Sequence, residues 1–242
     1  MGYHRAGFDV VGVDIAPQPH YPFAFVQGDA LRPPVDLSAF DAIHASPPCQ
    51  AFTAMANRWR GAGGLADERP DLVGAVRAML KATSKPYAIE NVRGAPLRSP
   101  IELTGEMFGL RVHRPRLFET DPFVLGPSPG GRQHDPVAVY GRSPDGRLLW
   151  KRADGSEHHA PHGRAGVLEA GAAMGIDWMD WDELRESIPP AYTEFIGRAL
   201  LNALPADPPI CPRCSGRKRV EMARNRIRDD APLLNCDSES IA

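Results

Sequence analysis

Four short apolar runs in the first 92 residues each stop at a chemically capable residue, and this repeated pattern constrains the fold more than any other feature of the chain. Residues 8–13 lead to Asp14, residues 23–28 to Asp29, residues 40–46 to Pro47-Pro48-Cys49, and residues 87–89 to Glu90-Asn91-Val92. Runs so short and so continuously apolar predict strands of a parallel sheet buried on both faces. A helix is predicted over 71–84, where Leu72, Val73, Val76, Met79 and Leu80 share one face and Lys81 and Lys85 sit at the end that favours cations. Another is predicted over 190–204, started by Pro189-Pro190, with Tyr192, Phe195, Ile196, Ala199 and Leu200 inward. Strands alternating with helices give the α/β class, and 242 residues suffice for one domain with a real core.

Composition narrows the class further. At 43% hydrophobic and 24% charged residues the chain is expected to fold, although 23 glycines and 25 prolines make it rich in loops. No apolar run is long enough to span a membrane, and Met1-Gly2-Tyr3-His4-Arg5 does not open a signal peptide, so a cytoplasmic protein is expected. The net charge of −2 gives no global basic field. Arginine outnumbers lysine 24 to 4, a bias that GC-rich coding produces as readily as phosphate recognition does. Within residues 111–164 the balance reverses, with nine basic residues against six acidic and five histidines besides. Four cysteines are too few for a disulfide scaffold and point to a reducing compartment.

Three stretches read as irregular. Residues 51–70 contain Gly61, Gly63 and Gly64 and few apolar side chains, which predicts a mobile loop. Residues 126–164 suggest a small insertion with strand candidates at 137–140 and 148–151. From residue 205 onward the chain is polar and basic, as expected of a poorly ordered tail.

In a parallel sheet the carboxyl ends of the strands share one edge, and ligands bind there. Asp14 and Asp29 could be simple turn-formers, and a lone cysteine is often a small buried hydrophobe. Glu90 is harder to set aside, because a carboxylate inside an apolar strand needs a partner or a task. Pro47-Pro48 should stop the third strand abruptly and project Cys49 into a cleft. A thiol and a carboxylate at one edge suit covalent catalysis on an electron-poor ring.

Ser46-Pro47-Pro48-Cys49-Gln50, Glu90-Asn91-Val92 and Arg114-Pro115-Arg116 resemble, in order, the nucleophile, ENV and RxR motifs of the DNA (cytosine-5) methyltransferases, most nearly the short phage-type members. Gly12-Val13-Asp14, Gly28-Asp29-Ala30, the stretch over 173–179 and the stretch over 188–194 add to the resemblance, which covers residues 1–204. It implies a Rossmann-like S-adenosylmethionine-dependent methyltransferase fold with a small target-recognition insertion. The catalytic core would span 1–120, the target-recognition segment 121–164, the C-terminal helices completing the core 165–204, and the tail 205–242.

The same resemblance implies the roles. Cys49 would attack C6 of a flipped cytosine, Glu90 would engage N3 and the exocyclic amine, and Arg114 and Arg116, two apart on one strand face, would hold the base and a nearby phosphate. Asp14 would bind the ribose of S-adenosylmethionine, Asp29 its adenine amine, and Pro47 would line the methyl donor's pocket. Gln50, Arg58 and Arg60, the last two flanking Trp59, would contact double-stranded DNA from a closing loop. A monomer, working in some systems beside a cognate restriction endonuclease in restriction–modification, is the implied setting. An RNA cytosine-5 methyltransferase, or a truncated DNA-binding remnant with impaired catalysis, is the alternative.

Two departures qualify the match. The family's first strand and its Phe-x-Gly-x-Gly-Gly turn precede the segment that begins here at Met1, and residues 2–8 resemble the helix after that turn. The expectation is therefore a sheet short of one central strand and a cofactor site short of one wall, through a misassigned start or truncation. Val112 stands where the RxR motif is usually preceded by glutamine. In the tail, Cys211-Pro212-Arg213-Cys214 resembles half a zinc ribbon, but with only Cys236 following it the ligand set is too small, and no metal is assigned.

Overall fold

The computed structural model describes residues 1–49, 52, 71–131, 136–140, 148–151, 155, 157–159, 163–205 and 219–222. A short helix α1 (Gly2–Ala6) opens the chain and ends at Gly7, whose φ of 111° is left-handed and whose N–H caps the helix on His4 O at 3.0 Å. The tight reversal leads straight into β1 (Asp9–Asp14), followed by β2 (Ala24–Gln27) and β3 (Ala42–Ala45). Helix α2 (Val73–Ala82) precedes β4 (Tyr87–Asn91), after which come β5 (Ile101–Leu103) and β6 (Arg116–Asp121). The remaining elements are an antiparallel pair, β7 (Leu148–Lys151) and β8 (Glu157–His159), then α3 (Gly163–Met174), α4 (Trp181–Glu186), α5 (Pro190–Ala203) and β9 (Arg219–Met222).

Seven strands form one sheet in the order β2-β1-β9-β3-β4-β6-β5. The first five in that order are parallel, while β6 runs antiparallel to β4 and β5 antiparallel to β6. The chain is thus a mixed α/β protein, as the alternation of patterns predicts, and β1 to β4 fall within the four predicted runs. No helix among the described residues is long and apolar enough to cross a membrane.

Each face of the sheet has its own helical cover. On one side Tyr3 and Ala6 of α1 and Tyr192, Ile196 and Leu200 of α5 pack with Val10, Ala42, Ala88 and Phe118. α1 and α5 approach closely because Gly197 lies against Tyr3 and Ala6, where an added Cβ would stand 2.9 Å from both. On the other side Val76 and Leu80 of α2 cover Ile43, Ala45, Tyr87 and Ile89. Burying such side chains contributes about 1.5–3 kcal/mol each. A further cluster joins Val112 and Val139 to α3 and α4 through Ala170, Met174, Trp181 and Leu184.

Three expectations are corrected in detail. The predicted 71–84 helix is shorter, because Asp71 Oδ1 accepts the Val73 N–H at 2.9 Å and serves as the entry turn, while Thr83 and Ser84 turn out of the helix. Residues 137–140 form no strand; Val137 N–H bonds Arg111 O at 2.6 Å and Ala138 and Val139 are buried beside the helices. Residues 219–222, in the stretch expected to be a loose tail, form β9 between β1 and β3. The anticipated gap in the sheet is therefore filled. Two facing parallel strands present backbone donors and acceptors on both sides of that slot, and a strand there pairs with both at once.

One buried ion pair locks α2 to β6 on the face of the sheet that the helix covers. Arg77 Nε and Nη2 donate to both oxygens of Glu119 on β6 at 2.7 and 2.6 Å, Nη2 also reaches Pro96 O, and the Arg98 N–H donates to the same carboxylate. Burial by itself would raise the Glu119 carboxyl, but the Arg77 and Arg98 hydrogen bonds hold it below the usual carboxylate range. Glu119→Gln leaves the Arg77 charge buried and unpaired and is expected to cost about 3–5 kcal/mol in denaturant unfolding at pH 7. Because the folded carboxyl is depressed, that stabilisation is present at neutral pH and is lost as pH falls through the depressed value. The variant should therefore show a flatter acid limb than the parent; equal stability at pH 7 would contradict the assignment.

Candidate active site

The carboxyl ends of β1, β2, β3 and β4 lie on one edge, and Asp14, Asp29, Cys49 and Glu90 are at or just beyond them. β9 pairs β1 as far as Val11 and β3 as far as His44, and β1 runs on through Gly12, Val13 and Asp14. Past the ends of β1 and β3 a cleft of about 380 Å³ opens, walled by Val76, Met79 and Leu80 of α2 and edged by Asp14, Asp29 and Pro47. Asp14 Oδ1 accepts the Ala16 N–H at 3.0 Å, and Asp29 Oδ1 accepts the Leu31 N–H at 2.9 Å. Each carboxylate is thereby fixed by its own turn while lining the cleft. Apolar walls with two carboxylates at the rim suit a ligand with a flat apolar body and hydroxyl or amine donors.

The segment carrying Cys49 is pinned from β4. Asn91 Nδ2 donates to Pro47 O at 2.9 Å, and Asn91 Oδ1 accepts the Val92 N–H at 2.9 Å. Since Pro47 and Pro48 have no N–H to anchor them, this side-chain clasp does the work that a strand ladder does elsewhere. Past the thiol, Cys49 O accepts the Phe52 N–H at 2.9 Å, and the Phe52 ring packs on Val73. Cys49 is half-buried and not in a disulfide.

Glu90 points to the same face of the sheet as Arg116, because the antiparallel register sets Glu90 opposite Phe118 and Arg116 two residues before it. Arg116 Nε lies 3.0 Å from Glu90 Oε1, and the Ser46 hydroxyl hydrogen-bonds the same carboxyl. Burial pushes the Glu90 carboxyl up, while Arg116, Ser46 and Arg114 pull against it. The Cys49 thiol is likewise pushed up, first by burial and then by the Glu90 charge, with Arg116 acting the other way. At neutral pH the thiol therefore rests protonated beside a buried, arginine-paired carboxyl.

Arg114 departs from its expected place. It precedes β6 with φ 32°, so it does not share a strand face with Arg116. Its guanidinium donates to the carbonyls of Ser187, Val139 and Arg185 at 2.8, 2.8 and 2.7 Å, and Tyr192 Oη donates to Arg114 O at 3.0 Å. Arg116 is the arginine at the carboxyl, and Arg114 ties the α4–α5 turn to the strand. Gln50, Arg58 and Arg60 lie outside the described residues, as do Trp59, Cys211, Cys214 and Cys236. Asn91 as a clasp and the placement of Tyr3 and His44 have no motif to mark them in the sequence, although a histidine inside an apolar strand raises the same question as Glu90.

Compared with known proteins, the chain matches no family model and no curated protein sequence.

Alkylation tests the electrostatics of the thiol. Modification of the Cys49 peptide by iodoacetamide should be slow at pH 7 and rise with pH beyond the range of an ordinary cysteine. Glu90→Gln removes the charge that raises the thiol and leaves Arg116 in place, so it should speed alkylation at pH 7 several-fold. An unchanged or slower rate would contradict the arrangement.

Proposed function

We propose that the protein is a DNA (cytosine-5) methyltransferase that moves a methyl group from S-adenosylmethionine to C5 of a cytosine flipped out of the duplex, using a Rossmann-like form of its α/β fold. The observation that carries this reading is Glu90, a buried carboxyl paired with Arg116 beside the half-buried Cys49 thiol. A thiol and a buried acid near one strand edge suit covalent activation of a pyrimidine ring, and the order of their motifs resembles that family.

In this reading the Cys49 sulfur forms a bond to C6 of the ring as its proton passes to water. Glu90, protonated in the reacting complex, donates to N3 and accepts from the exocyclic amine, so the electron density displaced by attack is met by a proton at N3. Arg116 orients the Glu90 carboxyl through its 3.0 Å contact and supplies positive charge beside it. C5 of the resulting enamine is the nucleophile toward the donor. When bound, S-adenosylmethionine supplies an electrophilic methyl group. Asp14 would receive its ribose hydroxyls, Asp29 its adenine amine, and the Pro47 wall would face it; the two carboxylate acceptors and the apolar walls of the cleft suit these parts. Loss of the C5 proton to water and departure of the Cys49 thiolate restore the ring. A cytosine inside the stack hides its ring face, so the base must be extruded to reach Cys49. Target reading would fall to residues 121–164, and double-stranded DNA is the partner.

The test is transfer of radiolabelled methyl from S-adenosylmethionine to duplex DNA of mixed sequence, with structured RNA as competitor. Cys49→Ser and Glu90→Gln are each expected to lower the rate by at least about 100-fold. Transfer that persists in Cys49→Ser contradicts the mechanism, and preference for RNA over duplex DNA contradicts the substrate.

A further inference from the structure

A line of buried hydrogen bonds runs from the N-terminal helix to Glu90. Tyr3 on α1 is 0% exposed, and its Oη lies 2.8 Å from His44 Nδ1. His44 on β3 is 2% exposed, and its Nε2 lies 2.9 Å from Ser46 Oγ. Ser46 is one residue past the Ala45–Ile89 pair, which brings it beside Glu90, and its hydroxyl acts to lower that carboxyl as a hydrogen-bond partner. Sheet geometry makes this line possible. His44 and Ser46 are two apart, and the register pairs His44 with Ala88, two residues before Glu90, so all of these side chains meet on the α1 face. The Tyr3 ring meets the imidazole edge-on at 5.4 Å, and Phe118, opposite Glu90, closes the other side at 6.3 Å.

The chemistry of the groups fixes the direction of the line. An ionised Glu90 only accepts, so Ser46 must donate to it. The lone pairs of Ser46 Oγ then take the His44 Nε2–H, which leaves Nδ1 as the acceptor for the Tyr3 hydroxyl. Every O–H and N–H dipole in the line points at the carboxylate, an arrangement in which each bond polarises the next. Tyr3 is held far above its ordinary range by burial and then by the Glu90 charge, so it stays a donor.

We propose that Tyr3, His44 and Ser46 are positioning residues for Glu90, forming a hydrogen-bond line that sets its carboxyl rotamer and supports its charge from the side opposite Arg116. The effect on methyl transfer rests on the function proposed above; the effect on Glu90 itself does not. The charged and titratable groups acting on that carboxyl are Arg116 on β6, Arg114 before it, Cys49 after β3 and Tyr3 on α1, with Tyr192 of α5 near the two arginines. None of the substitutions below alters Arg116 or Arg114.

The experiment follows the δ-carboxyl of Glu90 by carbon-13 NMR in protein labelled at glutamate, assigned with Glu90→Gln, as pH is varied. Ser46→Ala is expected to raise the titration of Glu90 by about one pH unit, the size of one lost hydrogen bond to a charged group. Tyr3→Phe, which removes only the far hydroxyl and preserves the core ring, should raise it less. His44→Gln keeps a donor toward Ser46 and should stay near the parent, while His44→Leu, which leaves the Ser46 hydroxyl in place, should raise it more than Tyr3→Phe and less than Ser46→Ala. Glu90 titration unmoved in Ser46→Ala, or equal shifts in His44→Gln and His44→Leu, overturns the proposal. Methyl transfer is read on the same samples. Absence of transfer in the parent with the NMR shifts intact defeats the enzymatic reading alone, whereas transfer with unmoved titration defeats the line alone.

Discussion

Glu90 sets the terms for the surrounding structure because a carboxylate in an apolar strand is costly unless its charge is compensated. Arg116 answers it at 3.0 Å and Ser46 adds a hydrogen bond. Bringing Arg116 there requires β6 to run antiparallel along β4, and the Arg114-Pro115-Arg116 turn that feeds β6 partly buries a second guanidinium. That charge is satisfied by carbonyls at 139, 185 and 187, which fixes the α4–α5 turn, and Tyr192 holds Arg114 O from α5. A single buried acid at the sheet edge is thus linked through two arginines to the placement of the C-terminal helices. The Arg77–Glu119 pair makes a second, independent tie on the opposite face.

β9 gives β1 and β3 a shared partner, while the cleft lies past the ends of β1 and β3 against α2. The Asn91 clasp on Pro47 then holds the thiol-bearing segment at the rim without backbone pairing.

Much of this was legible in the residues. The four apolar runs gave β1 to β4 because continuous burial leaves a continuous apolar record, and Pro189-Pro190 marked the start of α5. Glu90 was visible for the opposite reason, as an acid where the record should have been apolar. β9 was not legible: Arg-Val-Glu-Met is too short to carry a periodic signal, and the slot that recruits it is formed by strands about 180 or more residues away in sequence. Arg114 and Arg116 look equivalent in sequence, and only the backbone at φ 32° separates the arginine bound to carbonyls from the one bound to the acid. His44 carries no motif, and its place in a line to Glu90 depends on the pairing of β3 with β4.

The central claim, that Cys49 forms a covalent bond to a cytosine ring activated by Glu90, is tested most directly by trapping. A mixed-sequence duplex in which 5-fluorocytosine replaces cytosine cannot lose a proton from C5, so the bond from sulfur to C6 should persist. With S-adenosylmethionine present, the account predicts a protein–DNA adduct that maps to the Cys49 peptide by mass spectrometry and is absent in Cys49→Ala. No adduct with the parent protein, or one that forms equally in Cys49→Ala, would contradict it.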